Sequence, residues 1–117
     1  MSRRRLQNYL RTHRKRSLLS QKEIAFLLGA SSGGEVSKHE HFARQPSTRT
    51  VFAYECIFGV ASRELFAGLF EEVEEEALKR VLALTHRLEE TNTDPRTQRK
   101  LEFLRSILRS NNALKHD

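Results

Sequence analysis

Apolar residues recur along the chain at intervals of three and four, and no stretch alternates in the manner of a half-buried strand. The pattern predicts an all-α protein. Leu6, Tyr9, Leu10 and His13 form an i, i+3, i+4, i+7 stripe, which predicts a first helix over 4–16 with an Arg-rich outer face. Ser20, followed three residues later by Glu23, has the form of a capping box: each side chain can reach the other's backbone N–H. It opens a short second helix with Ile24, Ala25 and Leu28 inward, ended by Gly29 in a left-handed cap. Ser32 and Glu35 repeat the spacing and predict a third helix starting at Gly33, with Val36 and His39 inside. Two capped helices so close together, with glycine at the join, describe a helix-turn-helix.

Beyond Pro46, Ser47 or Thr48 can cap a fourth helix carrying Val51, Phe52, Tyr54, Cys56 and Phe58, which Gly59 ends. Ser62 is expected to cap a long fifth helix. Its main stripe is Phe66, Leu69, Phe70, Val73, Ala77, Val81, Leu84 and Leu88, with Leu78 and Leu82 on its flank. The glutamates of 71–76 read as a solvated face interrupted by one core residue, Val73. Asp94 before Pro95 suits an N-cap followed by the first position of a sixth helix, which runs on through Leu101, Leu104, Ile107 and Leu108. Leucines beyond about Glu74 would stay exposed unless the last two helices fold back as a hairpin or meet a second chain. The expectation is therefore a C-terminal helical hairpin over 69–117 that dimerises through Leu78, Leu82, Leu101, Leu104 and Leu108.

Composition narrows the field. The 117 residues suit one modest core and an appendage, 38% are hydrophobic and 31% charged, and no apolar run approaches the roughly 20 residues of a membrane span. Arg3, Arg4 and Arg5 precede no apolar core of a secretory signal, and the lone Cys56 cannot form an internal disulfide. A cytoplasmic protein with a buried, inert thiol is expected, without contact to membrane. The net charge of +6 is uneven: residues 1–50 hold eleven Lys and Arg against three acids, whereas 71–90 hold seven Glu against three bases. A basic half of this kind suits a polyanionic partner. His39 and His41, two residues apart, point away from each other on a helix, so no metal and no cofactor are expected. No phosphate-binding glycine loop or nucleophile elbow appears, so no catalytic residue and no enzyme activity are expected.

The stretch Leu10-Arg11, Arg14, Leu19-Ser20-Gln21, Ile24-Ala25, Leu28-Gly29, Val36-Ser37-Lys38, Glu40, Pro46-Ser47, Val51, Gly59-Val60 and Glu64-Leu65-Phe66 resembles the Cro/lambda-repressor-like (XRE-type) helix-turn-helix family. The resemblance runs from about Leu6 to Phe66. It implies a five-helix DNA-binding domain over 1–68 whose third helix enters the major groove of double-stranded DNA, with a C-terminal helical extension. Gln21, with Lys22 beside it, would meet the phosphate backbone. Base contacts would come from Ser32, Gly33, Gly34, Glu35, Ser37 and Lys38, and further phosphate contacts from Arg44, Ser47, Thr48 and Arg49. The implied function is a sequence-specific, homodimeric transcriptional regulator. The alternative is an adaptor or antitoxin-like module that uses the same fold and binds a protein partner through its C-terminal helices.

The chain also departs from the family. One extra residue lies in the turn between Gly29 and Val36. Gly33 and Gly34 stand where long base-readers are usual, which would pass base reading to Glu35, an acceptor for cytosine N4, and to Ser37 and Lys38. Glu55 occupies a small-residue position and would need an opened pocket or a basic partner. Phe42 stands where the family has glycine.

Overall fold

The computed structural model describes residues 6–91 and 94–115, the side chains of 113–115 excepted, and among these residues it contains seven helices and no strand. The helices are α1 (Leu10–Ser17), α2 (Gln21–Leu28), α3 (Gly33–Glu40), α4 (Thr48–Phe58), α5 (Ser62–Leu65), α6 (Ala67–Glu89) and α7 (Pro95–Lys115). The chain divides into unit 1, Met1–Glu71, and unit 2, Glu72–Asp117. The sequence placed that boundary after residue 68.

Unit 1 closes around Leu10, Ile24, Val36, Tyr54 and Leu65, each essentially inaccessible, with Ala25 and Phe66 beside them. The Tyr54 ring is central: it stacks on Phe58 and meets Phe66 and His39 edge-on, arrangements that suit the aromatic quadrupole. Its hydroxyl lies 2.8 Å from His39 Nδ1, so the one polar atom it buries has a partner.

Two boundaries differ from expectation, both for the same reason. The first helix starts at Leu10; Leu6 to Tyr9 are non-helical, Leu6 is exposed, and Arg4 and Arg5 lie outside the described residues. The expected long fifth helix breaks at Phe66 into α5 and α6. The freed segment pairs with the break: Tyr9 N–H donates to Leu65 O at 2.7 Å, while Leu6 O and Gln7 O accept from the N–H groups of Gly68 and Leu69. The first N–H groups of a helix have no partner within it, and here a distant piece of backbone supplies two acceptors. Ser62 likewise does not cap; it is the first residue of α5, and its N–H donates to Glu55 Oε1 at 2.7 Å. Glu55 thus needs neither an opened pocket nor a base.

In α4 the inward positions are Val51, Tyr54, Ile57 and Phe58, so Phe52 and Cys56, one turn apart, both face outward. The expected burial of Cys56 is overturned by this helical phase.

Unit 2 pairs α6 with α7. Glu74, Leu78, Val81, Thr85 and Leu88 of α6 are its less exposed positions, spaced alternately by four and three; in α7 Thr97, Leu101 and Leu104 are buried, and residues 105–108 and Asn111 are half-buried. In α6 that spacing suits a seam against a second helix, and Arg105 of α7 reaches Glu89 of α6 at 2.7 Å. Val73 and Leu84, expected in the core stripe, lie a position off the seam and are 53% and 40% exposed. Leu101 and Leu104, expected at a dimer contact, are buried within the unit. Leu78 and Leu108 line a groove of about 230 Å³ together with the exposed Leu82. Asp94 Oδ1 accepts from Thr97 N–H at 2.7 Å, the cap expected before Pro95, and this bond holds the Asp94 carboxyl below its ordinary pKa. No helix among the described residues is long and apolar enough to cross a membrane.

Candidate nucleic-acid interface

The second and third helices meet through local chemistry and one close approach. Ser20 accepts from Glu23 N–H while Glu23 Oε1 accepts from Ser20 N–H, completing the capping box of α2. Gly29 ends α2 at φ 75°, and Ala30 N–H returns to Ala25 O at 2.8 Å. A Cβ on Gly33 would lie 3.2 Å from the backbone nitrogen of Lys22 and 3.4 Å from the carbonyl carbon of Gln21. Gly33 therefore lets the start of α3 rest against the start of α2. A side chain at 33 would be aimed at α2 and not outward, so the glycine there is a packing residue. Gly34, by contrast, is exposed.

Glu40 locks the far end of α3. Its carboxylate, almost fully buried, accepts from Arg14 Nε at 2.6 Å and Arg14 Nη2 at 3.1 Å, and from Gln21 Nε2 at 3.0 Å. One carboxylate thereby ties α1 and α2 to α3. Burial pushes the Glu40 carboxyl up, but the hydrogen bonds from Arg14 and Gln21 and the Arg14 charge outweigh it, leaving the pKa below its ordinary value. The hydrogen bond to Glu40 raises Arg14 in turn. A second lock comes from Asn8, a residue with no obvious signal in the sequence: it is buried, its Oδ1 accepts from Leu10 N–H, and its Nδ2 donates to His39 O at 2.9 Å. A local Asx contact could be suspected from Asn8 before a helix. Its other partner lies 31 residues away and could not be.

The candidate contact residues fall into three groups. Lys22, Ser32, Gly34, Lys38, Ser47, Thr48 and Arg49 are exposed. Ser32 makes no side-chain cap, so the expected second box is absent; Glu35 instead accepts from Arg44 Nη1 at 3.0 Å. Glu35 and Arg44, a candidate base-reader and a candidate phosphate ligand, thus occupy each other. Both are partly solvated, and such a pair contributes about 0–1 kcal/mol, little enough to be exchanged for another partner. Ser47 caps α4 by accepting from Thr50 N–H. Gln21 is half-buried with its amide on Glu40, and Ser37 is half-buried beside His41, whose Nδ1 lies 2.8 Å from Ser37 O.

His39 is a core residue bonded to Tyr54, and its pKa is lowered, chiefly by burial. No cluster of three or more His, Cys, Asp or Glu able to hold a metal occurs among the described residues. Phe42, at the position that is glycine in the resembled family, adopts φ 63° immediately after α3, in the left-handed region that glycine occupies without strain. Comparison with known proteins adds no relative: no protein-family model matches the chain, and no curated protein or solved structure matches it with significance.

Proposed function

We propose that unit 1 is a DNA-binding domain of the Cro/lambda-repressor-like kind and that the protein is a sequence-specific transcriptional regulator acting by binding alone. The observation that carries this reading is α3 seated on α2 by Gly33 and fixed at its other end by Glu40, with Lys22, Ser32, Gly34, Lys38, Thr48 and Arg49 exposed around it. A groove reader needs a rigid helix with polar and cationic neighbours. Charge supports the same reading. Unit 1 carries twelve Lys and Arg against six acids, while unit 2 carries nine of each, so the whole net charge of +6 belongs to unit 1. The left-handed Phe42 supports the family assignment, because the backbone there takes the shape for which the family uses glycine.

In this reading Lys22, Thr48 and Arg49 grip phosphates, Lys38 and Ser32 reach the base edges, and Gly34 lets the backbone come close. Selection of a DNA site from a random pool, followed by gel shift, tests it. Lys38→Glu is expected to abolish the shift without altering helix content. Two cationic phosphate contacts, Lys22 and Arg49, would weaken binding on the order of tenfold between 50 and 200 mM salt. Failure to enrich any sequence would end the reading.

A second reading has its own support. Leu18, the C-cap residue of α1, and Phe26 of α2 are 90% and 82% exposed, and Leu27 is half exposed. Exposed apolar side chains of this size on a small domain fit an adaptor or antitoxin-like module that docks a protein partner. Pull-downs with wild type and Phe26→Ser that recover the same partners would count against it.

A further inference from the structure

One stripe of α7 gathers cations around an exposed ring. Arg96, Arg99, Lys100 and Phe103 stand at i, i+3, i+4 and i+7, so they share one face of the helix. The buried Thr97, Leu101 and Leu104 lie about a third of a turn round the helix on one side of that stripe, and Glu102 about a third of a turn on the other. All four stripe residues are exposed, Phe103 to 66%. From Pro95 to Phe103 they line an open groove of about 520 Å³.

The preceding helix adds to this face. Glu89 and Arg105 each follow a seam residue, Leu88 and Leu104, and they meet at 2.7 Å, which puts the positions after the seam on one side of unit 2. The positions before it therefore fall together on the other side: Leu84 and Arg87 of α6 with Arg96, Lys100 and Phe103 of α7. Among the described residues no ion pair engages Arg87, Arg96, Arg99 or Lys100. Asp94 feels the charge of Lys100, but its carboxylate is already committed to Thr97 N–H as the cap of α7.

Charge complementarity names the occupant. Guanidinium groups take carboxylates through paired N–H donors, and arginines around an aromatic ring are the composition of a protein-binding hot spot. A nucleic acid strand would use the cations, but aliphatic Leu84 offers no ring for a base to stack on. We propose that this face of unit 2 docks a short acidic segment of a partner protein, whose carboxylates pair with Arg87, Arg96, Arg99 and Lys100 while an apolar side chain between them fills the groove beside Phe103. The stripe is about 10 Å long, the reach of two helical turns or three extended residues. The DNA-binding reading is not needed for it, because the face lies wholly within unit 2.

Fluorescence anisotropy on the full chain tests it. The probe is a synthetic peptide with glutamates on both sides of a central Leu-Phe pair; control peptides carry serines for the pair or lysines for the glutamates. The acidic Leu-Phe peptide is expected to bind at least about fivefold more tightly than its serine control, and the lysine peptide not at all. Arg96→Glu/Arg99→Glu is expected to weaken binding at least about tenfold. Both positions are exposed near the start of α7, where glutamate suits the helix dipole, so the helix is retained. Phe103→Ser is expected to erase the preference for Leu-Phe over serine, and Arg49→Glu in unit 1 to change nothing. Absence of binding, equal affinity for the serine peptide, or binding insensitive to Arg96→Glu/Arg99→Glu would overturn the proposal, the last because the peptide would then sit elsewhere. So would a single-stranded oligothymidine whose binding falls with that variant as far as the peptide's does, which would make the face a nucleic-acid surface. The same variant is expected to keep the DNA selection of the wild type, so the two readings fail separately.

Discussion

The two units solve the problem of a small core differently. Unit 1 buries five large side chains almost completely and threads polar locks through them: Glu40 to Arg14 and Gln21, Asn8 to His39, His39 to Tyr54. Unit 2 has one seam, with Leu101 and Leu104 as its well-buried apolar residues and threonines at two seam positions. Buried, satisfied polar groups hold the elements around them in one arrangement, which suits the role proposed above for α3. A hairpin that leaves Val73, Leu84 and Phe103 in water has packing capacity to spare.

The contrast can be broken most severely at Tyr54. Tyr54→Ala is expected to destabilise unit 1 by about 3–5 kcal/mol, read from urea unfolding by circular dichroism, because it removes a stacked ring and strands the His39 nitrogen. Leu101→Ala is expected to cost unit 2 about 2–3 kcal/mol, the lower part of the range for a buried leucine, since a two-helix seam can partly collapse. Equal losses at the two sites would remove the distinction drawn above.

Glu40→Gln is expected to be next, about 2–3 kcal/mol, since Arg14 loses its charged partner in a largely enclosed place. The same group predicts acid sensitivity. Its folded pKa lies below the unfolded value of about 4.5, so its contribution is complete above that pH and disappears as pH falls through the folded value. His39 adds an earlier step of the same sign: its folded pKa is below about 6.5, so the unfolded chain takes up the proton first and stability declines as pH drops under that point. Thermal melts between pH 7 and pH 3 should show both declines, the first reduced in His39→Gln. A melting temperature flat from pH 7 to 5 would discount the His39 step.

Much of this architecture could be read before any coordinates. The caps at Ser20–Glu23, Gly29, Ser47, Gly59 and Asp94–Pro95 are local devices whose residues sit within a few positions of the groups they serve, and all five are present. Ser32–Glu35 has the same local form and fails, because Glu35 is claimed by Arg44, nine residues on. The start of α1 and the break at Phe66 were illegible for a kindred reason: each depends on backbone groups some sixty positions apart, which no periodicity encodes. Among the candidate contacts, the sequence could nominate Gly33 as special but not say that it faces α2.

That difference between the two boxes supplies the smallest test. Ser20→Ala is expected to cost about 1 kcal/mol, Ser32→Ala about 0.3 kcal/mol or less, by the same unfolding measurement. Matching losses would show that Ser32 caps α3 in solution.

The pairing of Leu6 and Gln7 with Gly68 and Leu69 has a temporal side. A ribosome releases the first of these residues long before the last, so Leu6 and Gln7 must wait, without their partners, until about sixty more residues have emerged. Closing so long a loop is slow and comes late. The segment that carries Asn8 is therefore tied down only after α5 and the first turn of α6 have been made, and a nascent chain arrested earlier presents α2 and α3 before their frame is complete.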